Sequence, residues 1–200
     1  MIAKQLSGLP YLWHIVPPNM RGKALWPLKA LAEIEPELGA SYRAKYFGRE
    51  HIATLHVPIL DCAWDEVVFL SPIHPQLTAN AMHQAGHVVR ATPVYQIPAD
   101  ALKSHEAIWF DPKRAAADGS LTPESVSALN LDAYLSKPLS EYAMPAYQRS
   151  KANGRRPLTL GTELHVLVRG YGRDGIVRPI DVSGAQTIAA VVPELPRGRA

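Results

Sequence analysis

The sequence predicts a single α+β domain, spanning residues 1–200, in which short strands and short helices share one core. Three observations favour this fold class. The chain has 200 residues, of which 47% are hydrophobic and 20% charged, as in an ordinary soluble globular domain. Its 18 prolines divide it into short elements and argue against long helices. The apolar segments do not alternate regularly between strand and helix patterns, which excludes a doubly wound sheet.

The first half of the chain has the clearest patterns. Its predicted strands are short apolar or alternating segments: 11–16 (YLWHIV), 51–60, 66–72, 92–98 and 107–112. Its predicted helices have apolar residues at helical spacing and a proline near their start: 26–34, continued by turns in 37–47, and 74–86. A glycine at the end of the last segment is typical of a helix C-terminus.

The second half is less regular. Residues 113–160 show no sustained periodicity, so we expect loops with short helices. Two further strands are predicted at 164–170 (LHVLVRG) and 176–182 (IVRPIDV). Because no linker separates them, 11–16 and 164–168 are expected in one central sheet.

Charge and cysteine content limit the partners. With 21 basic and 18 acidic residues the net charge is +3, and the pI near 9.0 permits a polyanionic partner without requiring one. Four basic residues lie within eight positions: Arg149, Lys151, Arg155 and Arg156. Such a cluster either contacts nucleic acid or belongs to a solvated loop. The single cysteine, Cys62, excludes an intrachain disulfide and is interpreted as a small core residue.

Several classes of protein lack support in the sequence. No apolar segment approaches a membrane span and no signal-peptide pattern opens the chain, so we expect a cytoplasmic protein without a membrane partner. No HExxH or CxxC motif is present, and no metal is expected. There is also no G-x-S-x-G elbow and no glycine-rich phosphate loop.

Three positions carry candidate chemistry. His14 lies inside an apolar strand, where it is either a hydrogen-bonded core residue or a ligand-binding group in a cleft. Arg49 follows Gly48 and is expected to enter a strand, either exposed or reaching inward to an anion. In 163–169 the alternation places a carboxylate, an imidazole and a guanidinium on one face, which is either exposed or the wall of an active site.

The order of these segments resembles a known family. LWHIVPPNMRGKALWPL resembles the first strand, loop and helix of the ADP-ribosyltransferase fold, in particular of the DarT-type toxins, which ADP-ribosylate DNA bases. VPILDCAWDEVVFLSP is similar to a "VPFYF…SP" segment there, and ELHVLVRG resembles the strand that carries the catalytic glutamate. The chain also resembles uncharacterised bacterial proteins with HIVPPNM and HVLV segments.

This resemblance implies ADP-ribosyltransferase-like central sheets with short flanking helices, NAD as a substrate, and DNA or RNA as the acceptor. It also implies a toxin or defence role, with an antitoxin or immunity protein as a partner. His165 takes the place of the family's glutamate, and Glu163 lies one pleat period earlier on the same face. RNA 2′-phosphotransferases use the same fold with histidines and arginines, so both residues stay candidates.

The resemblance and the chemistry of NAD cleavage together nominate two groups of residues. The catalytic candidates are Arg49, Glu163 and His165, and the NAD-binding candidates are His14, Trp13, Arg21 and Tyr95, with Trp109 as another aromatic choice. Two alternatives stay open. One is a non-catalytic nucleic-acid-binding module of the same fold, and the other is a small-molecule enzyme that uses His14 and His165 as acid and base.

Overall fold

The structure, a computed structural model, describes residues 11–20, 22–84, 90–116, 119–136, 147–149, 159–161 and 164–190. These residues form helices and several antiparallel sheets, which confirms the predicted α+β class. The helices are α1 (Leu28–Ile34), α2 (Pro36–Arg43), α3 (Pro75–Gln84) and α4 (Leu131–Ser136). The strands are β1 (Tyr11–Ile15), β2 (Ala24–Leu25), β3 (His56–Val57), β4 (Cys62–Ala63), β5 (Val67–Leu70), β6 (Thr92–Pro98), β7 (Ala107–Phe110), β8 (Val126–Ala128), β9 (Tyr147–Arg149), β10 (Thr159–Gly161), β11 (His165–Arg169), β12 (Ile180–Asp181) and β13 (Gln186–Ala190).

A three-stranded antiparallel sheet has the order β1-β6-β13. The alternation within β1 gives the sheet two different faces. Leu12 is fully buried opposite Ile97 of β6, and Trp13 is buried on the other face, where it clusters with Val94. His14 pairs with Tyr95, so these two side chains share the face of Leu12.

A four-stranded antiparallel sheet has the order β5-β11-β7-β8, with β11 between two partners. Val166 and Val168 belong to a core cluster that also contains Leu12 of the first sheet. Leu167 points to a second core cluster on the opposite face, with Ile108 of β7. Leu167 is fully buried, so the interpretation of 163–169 as a strand with an exposed face is wrong.

In the described part of the chain, an isolated backbone bridge between Trp13 and Ser71 connects the two sheets. It consists of two backbone hydrogen bonds, Trp13 N–H to the Ser71 oxygen at 2.9 Å and Ser71 N–H to the Trp13 oxygen at 2.8 Å. The expectation that 11–16 and 164–168 share one sheet is therefore wrong, because β1 and β11 belong to different sheets that this bridge connects.

The helices α1 and α2 form a tight pair after β2. A Cβ on Gly39 of α2 would lie 2.5 Å from Cα of Ala32 in α1, so the two backbones approach too closely for a larger residue. Pro36 begins α2 at a position where its missing N–H costs nothing. The 3₁₀ helix Ala44–Tyr46 continues from α2 and carries Lys45 towards the end of β1.

The predicted strand 51–60 is wrong. Glu50–Thr54 is a 3₁₀ helix, and the strand is reduced to the two residues of β3, which pair with β4. Ile59 and Asp61 have positive φ angles of 71° and 49°, so the chain turns where the alternation suggested extension. In the same way, the predicted strand 176–182 is limited to β12, and β13 forms where no strand was expected.

Among the described residues, no helix is long and apolar enough to cross a membrane.

Candidate active site

A cavity of about 500 Å³ lies at the bridge between the two sheets, and we call it the His14–His165 cavity. Four separate parts of the chain contribute to its lining. These are Trp13, His14, Ile15 and Pro18 from β1 and the loop after it, Ser41, Tyr42 and Lys45 from α2 and the 3₁₀ helix after it, Phe69, Leu70 and Ser71 from β5 and the residue after it, and His165 from β11. A neighbouring cavity of about 280 Å³ shares His14, Tyr42, Lys45 and Phe69 with it. Together they make a cleft large enough for an organic ligand.

His14 reaches this cavity from the middle of β1. Burial lowers the pKa of its imidazole to about 4, and the positive charge of Lys45 acts in the same direction. Its Nδ1 atom is buried and has no hydrogen-bond partner among the described residues. A neutral imidazole with an unused nitrogen can donate to or accept from a ligand hydroxyl.

His165 reaches the same cavity from the first position of β11. Its ring stacks on Phe110, with centroids 6.1 Å apart and planes at 23°, and meets the edge of Phe69 at 6.3 Å. These aromatic neighbours hold the ring in place, and burial lowers the pKa of His165. The imidazole is therefore neutral near pH 7 and able to accept a proton.

Lys45 supplies a positive charge to the lining. Its Nζ lies 4.1 Å from the centroid of the Tyr42 ring, a cation–π contact. Removal from water lowers the pKa of Lys45 and raises the pKa of Tyr42, so the phenol keeps its proton. Among the described residues that line the cavity none is a carboxylate, so Lys45 is available to a negatively charged ligand.

The three aromatic residues predicted to contact NAD have other neighbours. The Trp13 ring borders the cavity, but it packs edge-on against His74 at 5.3 Å, and its buried indole N–H has no partner among the described residues. Tyr95 shares a face with His14, but its hydroxyl points to the Met20 sulfur at 3.7 Å. Trp109 packs on Tyr134 at 5.7 Å, within the main core.

The prediction that Arg49 enters a strand is wrong, and of the two placements considered for its side chain the structure has the exposed one. Arg49 does not enter a strand, because Gly48 has a φ of 75° and the chain after Arg49 forms a 3₁₀ helix. Arg49 is exposed, and its Nη2 donates to the Lys45 carbonyl at 3.1 Å, so it does not line the cavity with His14. In the described lining, Lys45 is the cation that lies where Arg49 was expected.

The remaining predicted residues divide into two sets. Arg149 is the last residue of β9, which pairs with β10. The others lie outside the described residues: Arg21, Lys151, Arg155, Arg156 and Glu163. Their predicted roles stay predictions.

Sequence reasoning missed Lys45, Tyr42, Phe69 and Ser71. Tyr42 and Lys45 are three positions apart, a spacing that places side chains together on a helix. That spacing alone could not show that the pair faces β1. Ser71 and Phe69 lie in the segment VVFLSP, which was predicted as a strand without a site.

The chain matches no protein-family model, no curated protein and no solved structure. Within the described part of the chain, no three histidine, cysteine, aspartate or glutamate side chains are grouped as they would be around a metal ion. The chemistry of the cavity therefore has to be argued from its own side chains.

Proposed function

We propose that the protein is an NAD-dependent ADP-ribosyltransferase-like enzyme that reacts in the His14–His165 cavity and modifies nucleic acid. One observation carries the proposal: two half-buried histidines with lowered pKa values, from distant parts of the chain, line one cavity together with a lysine. Ribose hydroxyls, a pyrophosphate and an aromatic base are the chemical groups that such a lining suits.

The binding roles follow from the character of each side chain. His14, whose imidazole lines the cavity, offers a ring nitrogen to a ribose hydroxyl of NAD. Lys45 offers an ammonium group to the pyrophosphate, as a point charge. Phe69 and Tyr42 offer aromatic surface to the nicotinamide ring. His14 thus keeps the role that the family resemblance implies, and Lys45 replaces Arg49.

In the proposed reaction, an acceptor nitrogen or oxygen attacks C1′ of the nicotinamide ribose. The C1′–nicotinamide bond breaks, its electron pair goes to nicotinamide, and the acceptor proton passes to His165. Positive charge develops on the ribose ring before the new bond forms, and a nearby carboxylate stabilises it. We assign this electrostatic role to Glu163, which lies two residues before His165 in the sequence.

The nucleic-acid acceptor is supported by the family resemblance and by the basic residues around Arg149. The toxin or defence role and an antitoxin partner are supported by the resemblance alone.

The test measures nicotinamide release from NAD, with and without single-stranded DNA or RNA. His165→Ala and Glu163→Gln are each expected to lower the rate roughly 10² to 10³-fold, since each removes a group that acts in the transition state. His14→Ala and Lys45→Ala are expected to raise the KM for NAD. His56→Ala is the matched control, because His56 is exposed on β3 and bonds Asp61 at 3.1 Å, outside the cavity lining.

The proposal fails if the wild-type protein neither binds NAD nor releases nicotinamide with any acceptor. Salt-dependent binding of nucleic acid without NAD turnover would instead favour a non-catalytic binding module.

A second candidate is a small-molecule enzyme with His14 and His165 as acid and base. It is favoured by the lack of a carboxylate among the described residues that line the His14–His165 cavity itself; in the neighbouring cavity the carboxylate is that of Glu35. In that case NAD would not bind, and Glu163→Gln would leave the turnover of the true substrate unchanged while His165→Ala abolished it.

A further inference from the structure

A second cavity, of about 350 Å³, lies at the opposite end of β11 from His165, and we call it the arginine cavity. Three guanidinium groups line it, from Arg169, Arg173 and Arg178. Arg169 is the last residue of β11, four positions after His165, so the two ends are about 13 Å apart along the strand. The fully buried Leu167 lies between them.

Positive charge exceeds negative charge in this cavity. Two carboxylates face the three guanidinium groups, those of Glu106 and Asp174. Glu106 is shared, since its Oε2 lies 3.3 Å from Arg169 Nη1 and its Oε1 lies 2.8 Å from Arg173 Nε. Arg178 Nη2 lies 2.7 Å from an oxygen of Asp174. One positive charge and several N–H donors therefore remain unmatched.

Two of the unmatched nitrogens are buried. Arg169 has a side chain only 13% exposed, and its Nε has no hydrogen-bond partner among the described residues. The Nε2 of His105, another lining residue, is likewise buried without a partner there, while its Nδ1 lies 3.3 Å from the Ser104 hydroxyl. Because both atoms are closed off from the cavity surface, the donors open to a ligand are those of the exposed Arg173 and Arg178 side chains.

The backbone at Gly172 lies close to the side chains of Asp174 and Arg178. A Cβ on Gly172 would overlap Asp174 Oδ1 and lie 2.6 Å from Arg178 Cζ, so an alanine there would push both side chains out of their present positions. The turn is held by hydrogen bonds from Gly172 N–H to the Ile176 oxygen at 2.8 Å and from Gly175 N–H to the Gly172 oxygen at 3.0 Å. The cavity is thus part of a defined hairpin turn.

We propose that the arginine cavity binds a phosphate group, either inorganic phosphate or the phosphate of a small phosphomonoester. Guanidinium groups bind phosphate through paired N–H donors, which suits a site with three arginines and a surplus of donors. The oxyanion accepts hydrogen bonds from the exposed guanidinium groups of Arg173 and Arg178 and balances the surplus charge. This site is separate from the His14–His165 cavity and does not depend on the function proposed for it.

The experiment titrates the full-length protein, without NAD, with inorganic phosphate and then with glycerol phosphate, by calorimetry. We expect saturable binding to one site. Arg173→Ala and Gly172→Ala should each weaken it about tenfold or more, because each removes or displaces charge-assisted hydrogen bonds. Gly172→Ala is informative because it leaves the net charge unchanged.

Arg114→Ala is the matched control. Its side chain is 67% exposed and paired with Asp111, and that of Arg173 is 65% exposed and paired with Glu106. Phosphate affinity should be unchanged in this variant. Thermal unfolding of each variant shows that it is folded, and Arg169→Ala is avoided because it disturbs a buried side chain.

The proposal is overturned if the wild type shows no saturable binding of either probe. It is also overturned if Arg114→Ala weakens binding as much as Arg173→Ala, since the anion would then bind surface charge in general. Tighter binding of glycerol phosphate than of inorganic phosphate identifies a phosphomonoester as the ligand, and equal binding identifies the free anion. Both of these results support the phosphate site.

Discussion

Replacing His14 by glutamine should reduce the loss of stability that the protein suffers in mild acid. Burial lowers the pKa of His14 to about 4 in the folded protein, against 6.5 for an ordinary histidine. Below the ordinary value the unfolded chain takes up a proton that the folded protein does not. The unfolded state therefore binds more protons, and the free energy of unfolding falls as the pH falls.

The two pKa values set the size of this effect. Between pH 7 and pH 5, the His14 contribution lowers the free energy of unfolding by about 2 kcal/mol, since one pKa unit corresponds to about 1.4 kcal/mol. The loss is complete only below the folded value of about 4. Burial also lowers the pKa values of His74 and His165, so these two residues likewise reduce the free energy of unfolding as the pH falls. Both are present in the wild type and in His14→Gln, so their effect is the same in the two proteins.

The assay is urea unfolding of the wild type and of His14→Gln at pH 7 and pH 5. The difference between the two proteins isolates His14, because every other titrating group is common to both. We expect the wild type to lose about 2 kcal/mol more than the variant over this interval. Parallel losses in the two proteins would mean that His14 is protonated in the folded state. The assignment of a neutral imidazole to the cavity would then be refuted.

Three further results are expected. Leu167→Ala should cost about 2–5 kcal/mol in urea unfolding, since Leu167 is fully buried, and a cost near zero would restore the exposed-face interpretation. Gly39→Ala should destabilise by about 1–3 kcal/mol because its Cβ would overlap Ala32, whereas a Cβ on Gly184 meets nothing within 4 Å and Gly184→Ala should be nearly neutral. The Cys62 thiol, whose pKa burial and the charge of Glu66 raise to about 12, should react with a thiol reagent only after unfolding.

Local sequence patterns predicted the elements that have clear boundaries. The strand predicted at 11–16 is confirmed as β1 because Pro17 and Pro18 end an apolar run. The helix predicted at 74–86 is confirmed as α3, which begins at Pro75. In both cases the signal lies within the segment itself, so no knowledge of the tertiary structure was needed.

Other features depend on contacts between distant segments. The alternation in 51–60 suggested a strand, but positive φ angles at Ile59 and Asp61 turn the chain there, and nothing in those residue types required it. The convergence of His14 and His165 depends on the backbone bridge that Ser71 makes with β1. A main-chain contact of this kind leaves no residue signature. The approach of Lys45 to β1 is also a contact between distant segments, so the sequence did not reveal it, and Arg49 was predicted as the cation of the site instead.

The bridge at Ser71 also bears on how the cavity can change in evolution. His14 and His165 line the cavity from β1 and β11, which belong to separate sheets. In the described structure an isolated pair of backbone hydrogen bonds connects those two sheets. Because main-chain bonds do not depend on side-chain identity, residues on either wall can be exchanged while the connection persists. Substitutions distant from each other on the two walls should have additive effects on stability. Cavity-facing residues outside the core cluster that Leu12 shares with Val166 and Val168 can therefore change on one wall without matching changes on the other.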